Sequence, residues 1–257
     1  MSEFRLKIGL DLPINGIPQQ TIHEGATPKS VAVVGSDYNG LKPRMLVAEG
    51  DEVVRGTPLF SHKEAPNIMF VSPCKGRVRG VMRGARRVLQ SVIIDVDDID
   101  DKGMNFGAIG SDGFQRDKVK KILFDSGLWT SFLTRPYSKM PLEEDVPSAI
   151  FVTAMETEPL APDASIVVSR EQEAFNLGVS SIATLTDGKV YICKAMNGTI
   201  GDVTGVANAE SHKFDGPHPS GLAGTHMHFL NPPSVTNVVW SIGYQDVIAI
   251  GHLMRSG

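Results

Sequence analysis

Apolar and polar positions alternate in short runs through the first hundred residues and then change period. Arg5–Ile8 and Ser30–Gly35 read as strands separated by Pro/Gly loops. From Lys42 to Val96 the chain is a succession of short apolar pairs and triplets, among them Val53-Val54, Leu59-Phe60 and Gly76-Arg77-Val78. Glycine turns punctuate them at Glu49-Gly50-Asp51 and Gly56-Thr57-Pro58, since glycine takes a positive φ at no steric cost. Asp97 to Gly113 is rich in glycine and aspartate and marks a boundary.

Beyond it the period lengthens. Phe114–Trp129 places Val119, Ile122 and Leu123 on one face, with Gly127 as a C-cap, which predicts a helix. Ser148–Thr153 and Lys189–Cys193 are buried strands. Ser169–Leu177, running on toward Leu185, and Gln245–Met254 are helices. Strands alternating with helices predict βα units and a parallel sheet covered on both faces.

Composition adds limits. The 257 residues are 41% hydrophobic and 21% charged, with net charge −4, which fits two soluble domains and argues against a nucleic-acid surface. Cys74 and Cys193 are the only cysteines, so no disulfide framework is expected. No apolar run approaches the roughly 20 residues of a bilayer span. Locally, Lys75, Arg77, Arg79, Arg83, Arg86 and Arg87 form a basic hairpin. Asp95, Asp97, Asp98, Asp100 and Asp101 follow at once. The expectation is either a solvated hairpin with an acidic linker, or a docking edge for a partner or anionic lipid headgroups.

The candidate chemistry is sparse. Neither G-x-G-x-x-G after a strand nor a phosphate-cradling P-loop occurs, and there is no nucleophile elbow or paired-carboxylate run. His212, His218, His226 and His228 lie close in sequence, and His226 and His228 would share a face if extended. No cysteine or carboxylate has finger-like spacing beside them, and Pro217 and Pro219 break the segment, so they are read as loop histidines without a metal. No catalytic residue is assigned.

Two resemblances follow from longer motifs. The order V-x-x-G-D-x-V-x-x-G-x-x-L, then S-P-x-x-G-x-V, resembles the biotinyl/lipoyl carrier domains, small flattened β-barrels (barrel-sandwich hybrids). Their carrier lysine would be Lys63, but its context is Ser61-His62-Lys63-Glu64, and it is read as an ordinary exposed lysine. More of the chain, including KIGLDLPINGIPQQ, RGARRVLQSV, SGLWTSFLTRPYSKMP, SHKFDGPHPSGLAGTHMHFLNP and WSIGYQDVIAIG, is similar to the A subunit of the bacterial Na⁺-translocating NADH:quinone reductase.

That resemblance implies a barrel with its N-terminal strands over residues 1–100 and a Rossmann-like α/β domain over 101–257. The α/β domain would be related to the flavin-bearing NADH-binding subunit of complex I. Members are considerably longer, so the chain is expected to be an N-terminal part. It also implies a peripheral subunit on the cytoplasmic face of the bacterial inner membrane, with the other pump subunits and ubiquinone as partners. FMN, FAD, riboflavin and iron–sulfur centres would belong to other subunits.

In the flavin-bearing relatives a glycine-rich loop follows the first helix of the α/β domain. The corresponding stretch here, Ser126 to Pro141, keeps only Gly127 and carries bulky side chains. The expectation is a subunit without a cofactor that contributes quinone contacts through Phe132, Tyr137 and Lys139, with Tyr38 added. The alternative is a purely structural docking subunit.

Overall fold

The computed structural model describes residues 2–110 and 113–257. The first unit is a barrel of two small sheets. One has the order β2 (Ser30–Val34), β8 (Leu89–Asp98), β7 (Lys75–Arg83), β4 (Glu52–Val53). The other has the order β3 (Pro43–Met45), β5 (Pro58–His62), β6 (Ala65–Val71). Strand β7 shows why this segment is half-buried: Gly76, Val78 and Gly80 face inward while Lys75, Arg77 and Arg79 face water, the period of two that a strand imposes. Gly50 and Gly56 sit at φ +92° and +91° in the turns read from the sequence. Lys63 is exposed between β5 and β6, and its neighbour Glu64 pairs with Lys42 at 2.5 Å.

The second unit is a six-stranded sheet of order β1-β12-β11-β10-β13-β9. Its strands are β1 (Glu3–Arg5), β9 (Leu133–Arg135), β10 (Ala149–Ala154), β11 (Lys189–Ala195), β12 (Ala209–Asp215) and β13 (Val239–Gly243). All pairings are parallel except that between β13 and β9. The helices are α1 (Arg116–Asp125), α2 (Ala164–Arg170), α3 (Gln172–Ile182), α4 (Ala223–Leu230) and α5 (Tyr244–Ser256). The run Ala149-Ile150-Phe151-Val152 lacks polar alternation because both faces of β10 are covered. Ile150 and Val152 join the large core with α3 and α5, whereas Phe151 joins a smaller cluster with Met227 of α4. Helices α3 and α5 cross closely at Gly178 and Gly251. A Cβ at Gly251 would stand 1.8 Å from the Ala174 carbonyl oxygen.

Three expectations change. The first strand, expected at Arg5–Ile8 and grouped with the barrel over residues 1–100, is Glu3–Arg5 and pairs instead with β12, Phe4 lying opposite Phe214. An edge strand is chosen by whatever backbone is free to pair, and no local pattern encodes it. Asp95, Asp97 and Asp98 are not a linker but the end of β8, where Asp95 stands opposite Arg77 and is bonded to Arg79. The helix expected over 114–129 stops at Asp125, and a 3₁₀ turn, Leu128–Ser131, follows Gly127 at φ +79°. The two units share one continuous core, with barrel residues Phe60, Phe70 and Ile94 in the same cluster as Val119, Leu123 and Trp129.

Candidate functional site

The bulky segment after α1 lies at the seam between barrel and sheet. Gly127 packs against β6: a Cβ there would lie 3.0 Å from Val71 and 3.2 Å from the Met69 carbonyl oxygen. The left-handed turn aims Trp129 into the core, where its Nε1–H donates to the Pro141 carbonyl over 2.8 Å. Phe132 is fully buried, with Trp129 and Trp240 rings 5.6 and 5.5 Å away. This corrects its role as a ligand wall, because large rings that find a close-packed apolar shell are taken into it. It fills the core and presents no surface.

The other three candidates do not line one common groove: Tyr38 and Lys139 line two different ones and Tyr137 sits on a turn. Tyr38 stands edge-on to Phe70 with ring centroids 4.6 Å apart, its hydroxyl toward Thr130. Burial, with Asp37 beside it, raises its phenol above the ordinary value. It lines a groove of about 400 Å³ with Leu41, Lys42, Arg86 and Arg87. Tyr137 is 61% exposed at a turn, and its carbonyl and that of Ser138 accept from Asn39 Nδ2 at 3.2 and 3.3 Å. Lys139 lines a different cleft, of about 280 Å³, between the units.

That cleft is built from both units. The barrel contributes Asn39, Gly40, His62, Glu64 and Ile68; the α/β unit contributes Thr134, Lys139, Met140, Leu142 and Asp145. Hydrogen bonding fixes the His62 ring. Nδ1 accepts from the Glu64 amide at 3.2 Å, so Nε2 carries the proton and points at the Gly40 carbonyl, 3.4 Å away. That contact is long for a hydrogen bond, so the Gly40 carbonyl holds Nε2–H only weakly. Apolar walls from Ile68, Met140 and Leu142 with N–H donors at Lys139 and His62 suit a flat ligand with carbonyl oxygens. Sequence reading singled out Lys139 but missed His62, Asn39 and Ile68. His62 stood beside the quoted Lys63, yet nothing local says that its strand faces residue 139.

At the back of the seam Ser131 Oγ donates to Asp246 Oδ1 in the first turn of α5 at 3.0 Å. Burial raises the Asp246 carboxyl above its ordinary range, and the bond from Ser131 partly offsets this.

The histidines do not converge. His226 and His228 lie on α4, where an offset of two puts them on nearly opposite sides. His226 is buried and hydrogen-bonded to the Ser220 carbonyl at 2.9 Å, and burial lowers its pKa to about 4. His218 pairs with Thr157 at 3.2 Å. Among the described residues no group of three His, Cys, Asp or Glu side chains is placed to hold a metal ion.

Comparison with known proteins matches both units. Residues 4–97 match the family model described as the NqrA N-terminal barrel-sandwich hybrid domain. Residues 114–257 match the one described as the NqrA second alpha/beta domain. The chain is 49% identical over 253 residues to the A subunit of the Na⁺-translocating NADH-quinone reductase of Vibrio alginolyticus, covering 98% of this chain and 56% of that one. It is 45% identical over 256 residues to the protein of the same name from Photorhabdus laumondii, covering 98% and 57%. It is 45% identical over 260 residues to the one from Tolumonas auensis, covering 98% and 56%. The chain thus spans a little over half the length of these relatives.

Proposed function

The chain belongs to the NqrA family, the A subunits of the Na⁺-translocating NADH-quinone reductases, and from that premise we propose that it serves as a peripheral, cofactor-free subunit of such a respiratory pump, supplying part of a quinone site. The observation that carries the reading is the inter-unit cleft, which Ile68 and Met140 line together with the N–H-bearing side chains of Lys139 and His62. A quinone needs a slot for its ring and a donor for each carbonyl, and buried unpaired carbonyls would cost about 1–3 kcal/mol each. NADH, flavin and iron–sulfur chemistry is assigned to other subunits. In support, Trp129 and Phe132 occupy the core beneath the turn where a phosphate cradle would need open backbone N–H groups.

No helix is long and apolar enough to cross a membrane among the described residues. That fits attachment through partner subunits on the cytoplasmic face. A purely structural docking role is favoured by one observation, the loss of Phe132 to the core.

The test is titration of the chain with a short-chain ubiquinone, read by tryptophan fluorescence. Trp129 is hydrogen-bonded to the carbonyl of Pro141, the residue after the cleft residue Met140, so its fluorescence is the readout. Saturable quenching is expected. Lys139→Ala should raise Kd roughly tenfold, the equivalent of about 1.4 kcal/mol. Quenching that does not saturate, or a Kd unchanged in both Lys139→Ala and Met140→Ala, leaves the docking role as the function.

A further inference from the structure

The arginines of the β7–β8 hairpin divide into two groups. Those at the base are neutralised: Arg77 pairs with Glu52 at 2.8 Å, and Arg79 is bonded to Asp95. Those at the tip are not. Arg83, Arg86 and Arg87 make no ion pair with a carboxylate among the described residues, and Arg83 Nη1 donates only to the Arg87 carbonyl at 3.1 Å. Asp37, in the adjoining turn, is exposed and pairs with none of them.

The tip also extends past its sheet. The last pair of β2 with β8 is Val34 with Ser91, so residues 84–88 have no neighbouring strand. Arg86 and Arg87 both hold left-handed conformations, at φ 55° and 61°, a costly arrangement for side-chain-bearing residues. Met82 and Val88 flank them, 41% and 64% exposed. Three guanidinium groups without carboxylate partners among the described residues, interleaved with two exposed apolar side chains, thus gather at the end of the hairpin, where Arg86, Arg87 and Val88 also wall the groove beside Tyr38.

We propose that this tip is a docking surface for anionic phospholipid. Guanidinium groups bind phosphate through paired N–H donors, and Met82 and Val88 can rest among the headgroups. Phosphate and apolar surface lie side by side in a headgroup layer, which three guanidinium groups beside two exposed apolar side chains match. The net charge of −4 opposes general adsorption to an anionic bilayer, so contact through the tip also orients the molecule. The inference stands independently of the quinone reading.

The experiment is flotation of the chain with vesicles of phosphatidylcholine alone and of phosphatidylcholine with phosphatidylglycerol in equal parts. Partition into the mixed vesicles alone is expected, falling as salt is raised because screened charges attract weakly. The triple variant Arg83→Gln, Arg86→Asn, Arg87→Asn should lose partition about 100-fold, from about 1 kcal/mol per basic residue and 1.4 kcal/mol per decade. Asparagine is used at the last two sites because it tolerates positive φ. Met82→Ser with Val88→Ser should lower partition without removing its salt dependence.

Exposed Ile8 and Ile17, each 89% accessible, form the competing surface, and Ile8→Ser with Ile17→Ser should change nothing. Absence of binding to mixed vesicles at low salt, binding insensitive to salt, or loss with the isoleucine variant but not the arginine variant would each overturn the proposal. If wild-type chain ignores vesicles while the arginine variant fails to co-purify with the pump, the tip serves a protein partner instead.

Discussion

Ser131 Oγ donates to Asp246 Oδ1 across 3.0 Å, joining the turn after α1 to the first turn of α5 and burying a carboxyl at the seam of the two units. The folded protein holds this proton more tightly than the unfolded chain does, because burial raises the Asp246 pKa. Stability from this group is therefore greatest at low pH and falls as pH rises from the unfolded value, about 4, through the raised folded one. Asp246→Asn keeps the acceptor for Ser131 and removes the charge. Its melting temperature should exceed that of the parent at pH 7, and the difference should close below about pH 4. A melting temperature lower than the parent's at pH 7 would show that the helix N-terminus and Ser131 outweigh burial.

His226 has the opposite sign. Its folded pKa of about 4 lies below the ordinary 6.5, so the unfolded chain binds the proton first. The stability it contributes is present above pH 6.5 and is lost as pH falls through the folded value, by roughly 3 kcal/mol at about 1.36 kcal/mol per unit. Replacement by glutamine, which keeps a donor for the Ser220 carbonyl, should flatten the acid limb of a denaturation series between pH 6.5 and 4. An unchanged acid limb would place its cause elsewhere.

Phe132→Ala should act on stability rather than on a ligand. The ring is fully buried against Trp129 and Trp240, and emptying such a site costs roughly 3–5 kcal/mol. Urea denaturation measures it. A variant of parental stability that nonetheless binds quinone weakly would return Phe132 to the cleft.

Gly251→Ala should drive α3 and α5 apart. Its Cβ would meet the Ala174 carbonyl oxygen at 1.8 Å, backbone that cannot yield like a side-chain end. Overpacking of this kind costs roughly 1–3 kcal/mol. A lowered urea midpoint with an unchanged slope is the expected result, and an alanine variant as stable as the parent would mean that the helices can slide.

The local elements and the family were legible along the chain. Apolar period two with glycine turns at Gly50 and Gly56 specifies the barrel, and unbroken apolar runs such as Ala149–Val152 specify strands buried on both faces. Gly127 was readable as a helix end because a left-handed residue terminates α1 there. Tertiary structure decided the rest, since it depends on which distant surfaces meet. The strand at Glu3–Arg5 left the barrel for β12 because an open sheet edge was there to pair with. Trp129 and Phe132 became core because the barrel supplied Gly127 with a wall at Val71, closing the space above them. His62 and Lys139 came to share a cleft, and Asn39 to hold the turn at Tyr137, across separations that no local periodicity records. The same holds for charge. Composition shows only a run of arginines, whereas strand register neutralised Arg77 and Arg79 and left Arg83, Arg86 and Arg87 at the tip without a carboxylate partner among the described residues.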